Sequence, residues 1–250
     1  MPLGIGENYT ENVLRTLDGN SVQDKIKALF FVQTHVATRG ESDVGQRLIS
    51  RMASEGHVVG VHTGSTIDHV DHRRRVGAPP YDWNHDGVLD ERDGASGLES
   101  DLLRAKARIT KLTGSEPILV RPTYGVTNKK VRGVYATLGL RMLLWHVDSR
   151  DALDHHRGTH VIEANVREQL RGLIRRGRDP IIVLFHDINF ATQAHLDDYL
   201  IALYEAAEAE GKLATFPTTY DELRAWLDEI LGLDHTVPDK PYEARSSSSR

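Results

Sequence analysis

Gly60 to His72 reads GVHTGSTIDHVDH and overlaps the apolar run His57-Val58-Val59-Gly60-Val61. A short apolar run between helix-patterned segments predicts a buried strand. Three histidines (His62, His69, His72) and two aspartates (Asp68, Asp71) then fall within thirteen residues. In parallel β/α folds the side chains that do chemistry collect at the carboxyl ends of the strands, which is where these imidazoles stand. Imidazole suits zinc and its neighbours, and a catalytic site of that kind takes two or three such ligands with one position left for water. The competing reading of the same stretch is a solvated polar loop whose histidines bind nothing, so other segments must decide.

Working outward, Tyr9 to Leu17 has helical apolar spacing through Val13, Leu14 and Leu17, and stops at the turn Asp18-Gly19-Asn20. Ala28 to Val32 is a buried strand, and Val44, Leu48 and Met52 mark a helix ending near Gly56. Beyond the histidine stretch lies a polar insertion, Arg73 to Gly97, holding Pro79-Pro80. Leu98, Leu102, Ala105, Ile109 and Leu112 then share one helical face that Gly114 closes. Strands are expected at Ile118–Val120, Arg141–Val147, Ile181–Phe185 and Lys212–Phe216. Helices are expected at Asn128–Leu138, Val161–Arg176, Thr192–Ala209 and Tyr220–Leu231.

That alternation predicts one α/β domain over residues 1–233, a distorted (β/α) barrel, with 73–97 as an insertion and 234–250 as a disordered tail. No Gly-x-Gly-x-x-Gly follows a strand, so dinucleotide binding has no support. Hydrophobic residues make up 39% of the 250, enough for an ordinary core, and no apolar run approaches the roughly 20 residues that span a membrane. The formal net charge is −5 and Arg73-Arg74-Arg75 stands alone, so no nucleic-acid surface is expected. Without cysteine there is no disulfide, thiolate metal site or thiol nucleophile.

Polar residues end several strands: His62-Thr63, Arg121-Pro122-Thr123-Tyr124-Gly125, Trp145 to Asp151 (WHVDSRD) and Leu184-Phe185-His186-Asp187. In order and spacing these resemble the motifs of the NodB-homology polysaccharide deacetylases, carbohydrate esterase family four. His62-Thr63 is similar to the opening of H-[S/T]-x-x-H, RPTYG to R-P-P-[Y/F]-G, HVDSRD to D-x-x-D, and LFHD to the late Leu-x-His. The resemblance implies a zinc-type ion held by an aspartate and two histidines, and hydrolysis of acetyl groups on an acetylated oligo- or polysaccharide. It gives His186 the role of proton donor to the leaving group, Tyr124 an oxyanion-holding backbone N–H, Arg121 and Asp151 orienting roles, and Trp145 and Leu184 places in the substrate pocket.

The chain departs from that pattern in three places. Thr66 stands where the second metal histidine belongs, making His69 the replacement and His72 the second choice. Ala152 replaces an aromatic after D-x-x-D. The family opens on a strand ending T-F-D-D-G-P, then a helix, then a strand like KATFFV. Here Lys27 to Val32 matches the later strand and Tyr9 to Leu17 the helix, so Pro2 falls at the motif's proline and the first strand with its base and metal-binding aspartate is expected to be missing. The chain alone is then expected to deacetylate little. A non-catalytic carbohydrate-binding relative, or a calcium-dependent interaction module, is the alternative.

The insertion carries a motif of its own. From Asp82 to Asp93, oxygen-bearing side chains occupy the first, third, fifth, ninth and twelfth places (Asp82, Asn84, Asp86, Asp90, Asp93), with Gly87 sixth, Val88 seventh and the apolar Leu89 eighth. This EF-hand-like pattern predicts a structural calcium, weakened by Asp93 in place of glutamate, with Val88 ligating through a backbone oxygen at the seventh place. Weak calcium loops suit the calcium-rich exterior, and the resembled family is commonly exported, so an extracellular or periplasmic location is expected for the full-length protein; no signal peptide is visible in this chain.

Overall fold

The computed structural model describes residues 5–65, 68–70, 97–154 and 157–232. Helix α1 (Ile5–Asp18) leads to β1 (Leu29–Gln33), α2 (Asp43–Ser54) and β2 (Val58–Thr63). Helix α3 (Gly97–Thr113), β3 (Leu119–Val120), a 3-10 turn (Thr123–Gly125), α4 (Lys129–Thr137) and β4 (Arg141–Met142) follow. Then come β5 (Val147–Asp148), α5 (Asp151–Asp154), α6 (Thr159–Arg175), β6 (Val183–Leu184), α7 (Phe190–Glu208) and α8 (Tyr220–Leu231).

Local chemistry sets the helix ends. The Ser42 side chain accepts from the Gly45 N–H to start α2, whose Leu48, Ile49 and Met52 turn inward. Thr219 and Glu222 close a capping box at α8, and Gly232 ends it in the left-handed region. Strands β1, β2, β3 and β4 form one parallel sheet in that order, and β5 and β6 a second parallel pair. Val61 and Val120 pair across β2 and β3 and are both fully buried, as the apolar run predicts.

Among the described residues the two sheets do not close into a ring: β1 pairs only with β2, and β6 only with β5. The outer edges of β1 and β6 line one cavity of about 810 Å³, walled also by apolar side chains such as Val13, Leu17 and Leu200.

Two expected strands take another form. Lys212 to Phe216 is not a strand, because its backbone finds partners elsewhere: Lys212 N–H donates to Ala207 O, and Gln23 meets both the carbonyl and the N–H of Phe216 through its amide. Arg141 to Val147 is split, since Leu143 N–H still bonds to Val120 O while His146 and Val147 N–H bond to Ile182 O; the chain leaves one sheet and joins the other. The expected strand over 181–185 is reduced to Val183–Leu184. The calcium motif from Asp82 to Asp93, with His72 and Asp71, and the tail lie outside the described residues.

Candidate functional site

The carboxyl ends of β2, β3, β5 and β6 meet at the mouth of this cavity. His62, Arg121, Tyr124, Trp145, Leu184 and His186 all line it, although 124 residues separate the first from the last.

His62 ends a buried strand, and its Nδ1 lies 2.8 Å from the Arg121 carbonyl oxygen. A carbonyl only accepts, so Nδ1 carries the hydrogen and Nε2 keeps its lone pair, the tautomer and support usual for a metal-binding imidazole. Burial pushes the His62 pKa down to about 4, so the ring is neutral near pH 7. The turn after it is moulded on Asp101, a fully buried carboxylate of α3 that accepts from Gly64 N–H at 2.7 Å and Ser65 Oγ at 2.8 Å. A Cβ at Gly64 would stand 2.4 Å from the Asp101 Oδ1 and 2.7 Å from its carbonyl oxygen. Gly64→Ala is therefore expected to destabilise the fold by about 1–3 kcal/mol, read as a lower urea midpoint with an unchanged slope.

Arg121 packs between two rings, its guanidinium carbon 4.1 Å from the Phe31 ring centre and 5.6 Å from that of Trp145. Burial lowers its pKa to about 10, which leaves it charged at neutral pH. Among the described residues no carboxylate comes within 4.0 Å of it. Tyr124, 61% exposed, takes a left-handed backbone (φ 56°) in the 3-10 turn at the cavity wall.

His186 and Asp151 form a dyad. His186 Nδ1 lies 2.7 Å from Asp151 Oδ1, and the His186 backbone N–H donates to Asp151 Oδ2 at 2.7 Å. Ser149 Oγ donates to Oδ1 at 2.9 Å, and Thr192 Oγ1 donates to Oδ2. Burial alone would raise the Asp151 pKa, yet the bonds from His186 and Thr192 hold it below the usual carboxylate range. Burial alone would lower His186, but the bond to Asp151 and the charges of Asp151, Asp148 and Asp187 raise it above its ordinary value. The carboxylate fixes the ring at Nδ1 and favours its protonated form, and among the described residues no partner stands at Nε2.

His69 stands apart from the residues lining the cavity. It is fully buried, its Nδ1 2.5 Å from the Tyr135 hydroxyl and its ring edge-on to Tyr135. Among the described residues no three His, Asp or Glu side chains converge to hold a metal ion. They offer one well-oriented ligand, His62, and not a complete set.

Several residues at the site were not singled out by sequence. Asp101, Ser149 and Thr192 sit behind the reactive groups, where only contacts reveal them. Arg39 and Asp187 also line the cavity; Asp187 had a signal, following His186 directly, while Arg39 belongs to a loop with no motif.

A family model described as polysaccharide deacetylase matches residues 2–143. The chain is 27% identical over 200 residues to the peptidoglycan-N-acetylglucosamine deacetylase PgdA of Listeria monocytogenes, spanning 80% of this chain and 34% of that protein. It is 25% identical over 186 residues to a chitin deacetylase of Pestalotiopsis sp, spanning 74% of this chain and 51% of that one. The chain thus spans about a third to a half of the curated relatives it matches. The chitin deacetylase structure from Colletotrichum lindemuthianum shares the fold with a TM-score of 0.63 at 18% identity, covering 95% of this chain and 88% of that one.

Proposed function

The chain belongs to the polysaccharide deacetylase family, and on that premise we propose that it provides the acid half of a hydrolytic site that removes acetyl groups from a carbohydrate. The convergence of His62, Arg121 and the His186–Asp151 dyad on one cavity carries this reading. The relatives named above are deacetylases of peptidoglycan and chitin.

In the proposed reaction the acetyl group enters the mouth between Tyr124, Trp145 and Leu184. The Tyr124 backbone N–H faces the oxygen that gains negative charge when water adds to the carbonyl. His186, charged below its raised pKa, hands its Nε2 proton to the departing nitrogen or oxygen. Asp151 holds the ring and keeps Nδ1 protonated. A zinc-type ion, if held, would supply Lewis-acid polarisation of the carbonyl. Among the described residues His62 is the one at the cavity placed to hold it, and His69 or His72 remain the sequence candidates for a second ligand.

A base is also required, and the cavity points to its source. Among the described residues no strand pairs with the outer edge of β1 or of β6, and a strand could satisfy the backbone groups of such edges where an apolar molecule could not. The apolar walls suit the body of such a strand. The rim above them carries Arg121, with no carboxylate within 4.0 Å among the described residues. We propose that the slot takes an extended segment running parallel to β1, ending at the rim in carboxylates, and that this closes the sheets into a barrel.

Acetate release from acetylated chitooligosaccharides, acetylxylan and glycan strands tests the function. Firm binding of these sugars with no turnover, even when a carboxylate-ended strand is supplied, would overturn it in favour of a carbohydrate-binding module.

A further inference from the structure

We propose that Arg39 determines specificity by binding an anionic group on the substrate, so that the preferred glycan carries a carboxylate on the sugar next to the acetylated one. The inference rests on the deacetylase reading for the position of the acetyl group, but not for the binding itself.

Three arginines line the cavity: Arg39, Arg121 and Arg150. Two of them are engaged. Arg121 is sandwiched between Phe31 and Trp145, and Arg150 Nε donates to Asp154 Oδ2 at 2.9 Å. Arg39 is exposed at the mouth, and among the described residues no carboxylate lies within 4.0 Å of its guanidinium. One of its amino groups donates to Gln33 Oε1, which fixes the plane, and among the described residues the remaining N–H donors have no acceptor and can serve an outside one. A planar guanidinium with free donors matches a carboxylate through two parallel hydrogen bonds.

The loop is built to hold Arg39 there. Its N–H donates to Val36 O at 2.8 Å, and its carbonyl accepts from Ser42 N–H at 3.1 Å and Ser42 Oγ at 2.7 Å. The following Gly40 donates to Gln33 O, and a Cβ at that position would lie 2.2 Å from the same oxygen. Little order is left for a ligand to impose, and a preorganised donor binds more tightly for that reason.

The acidic groups nearby do not cancel it. Asp187 is close enough for its charge to act on Arg39, but it stands more than 4.0 Å from the guanidinium and accepts from the Thr10 hydroxyl. Asp148 accepts the Arg150 N–H at 2.8 Å. Arg39 and His62 line the same cavity, so an anion bound at Arg39 would lie on a sugar close to the reacting one.

The test is equilibrium binding by calorimetry with two tetrasaccharides: tetra-N-acetylchitotetraose, which is neutral, and the alternating N-acetylglucosamine and N-acetylmuramic acid tetramer, which carries carboxylates. The acidic probe is expected to bind about tenfold tighter at low salt, with the gap shrinking as salt rises. Arg39→Gln should remove the gap by weakening only the acidic probe, and Arg39→Lys should restore part of it, with unchanged thermal midpoints. Equal affinities in the parent chain, binding of neither probe, or an equal loss for both probes in Arg39→Gln would overturn the assignment. Absence of acetate release from both probes by the chain extended with an Asp-Asp-Gly strand, with the affinity gap intact, would count against the deacetylase reading and leave Arg39 standing.

Discussion

A chain fused at Met1 to an apolar strand of about six residues ending in Asp-Asp-Gly is expected to release acetate about 10²- to 10⁴-fold faster than the unextended chain, the range a positioned base contributes. The geometry favours this connection. Tyr9 and Thr10 of α1 touch Phe190 and Asp187 at the rim, the first with ring centres 6.1 Å apart. The amino end of α1 therefore lies at the level where a strand filling the slot would finish. Its other end leads to β1, so strand, α1 and β1 would form a β-α-β unit with parallel strands and a short first connection. A fusion ending in Asn-Asn-Gly separates filling from chemistry: it should raise the thermal midpoint as the first fusion does, by satisfying the free edges, without the gain in rate. If the unextended chain already turns over an acetylated sugar as fast as the fusion, neither the slot nor a base supplied from it can be right.

The readable part of this chain was what depends on local spacing. Helices with a full apolar face, such as the Leu98 to Leu112 stripe, and the strand before His62 formed as expected because burial and periodicity agree there. Lys212 to Phe216 has the same apolar look, yet the amide of Gln23, nearly two hundred residues earlier, takes the place of a ladder partner. No spacing rule contains that competition. The site shows the same division: His62, Arg121, Asp151 and His186 carry motifs and meet as expected, whereas Asp101, Thr192 and Arg39 act through contacts that a linear pattern does not encode. His69, the sequence candidate for the second metal histidine, has its Nδ1 beside the Tyr135 hydroxyl, a contact that no linear pattern encodes.

In the strand-completed chain, His186→Ala is expected to lower kcat by about 10²- to 10⁴-fold, since the leaving group then departs without its proton. Asp151→Asn gives the more specific result. Both Asp151 oxygens accept from donors, two on each, so an asparagine must set its amide N–H against one of them at a cost of about 1–3 kcal/mol. It also removes the charge that raises the His186 pKa. A raised imidazole contributes stability that is complete below its unfolded value near 6.5 and is lost as pH rises through the folded one. A depressed carboxylate contributes above its unfolded value and loses that contribution as pH falls through the folded one. Between those limits both charges are present, and there the substitution should be most destabilising. Activity follows the same imidazolium: the alkaline limb of kcat/KM lies above pH 6.5 in the parent and should move to lower pH in Asp151→Asn. A ring-proton titration of His186 by NMR should move with it. Coincident limbs in the two proteins, despite a lower melting point in the variant, would show that Asp151 supports the fold alone and that the proton comes from elsewhere.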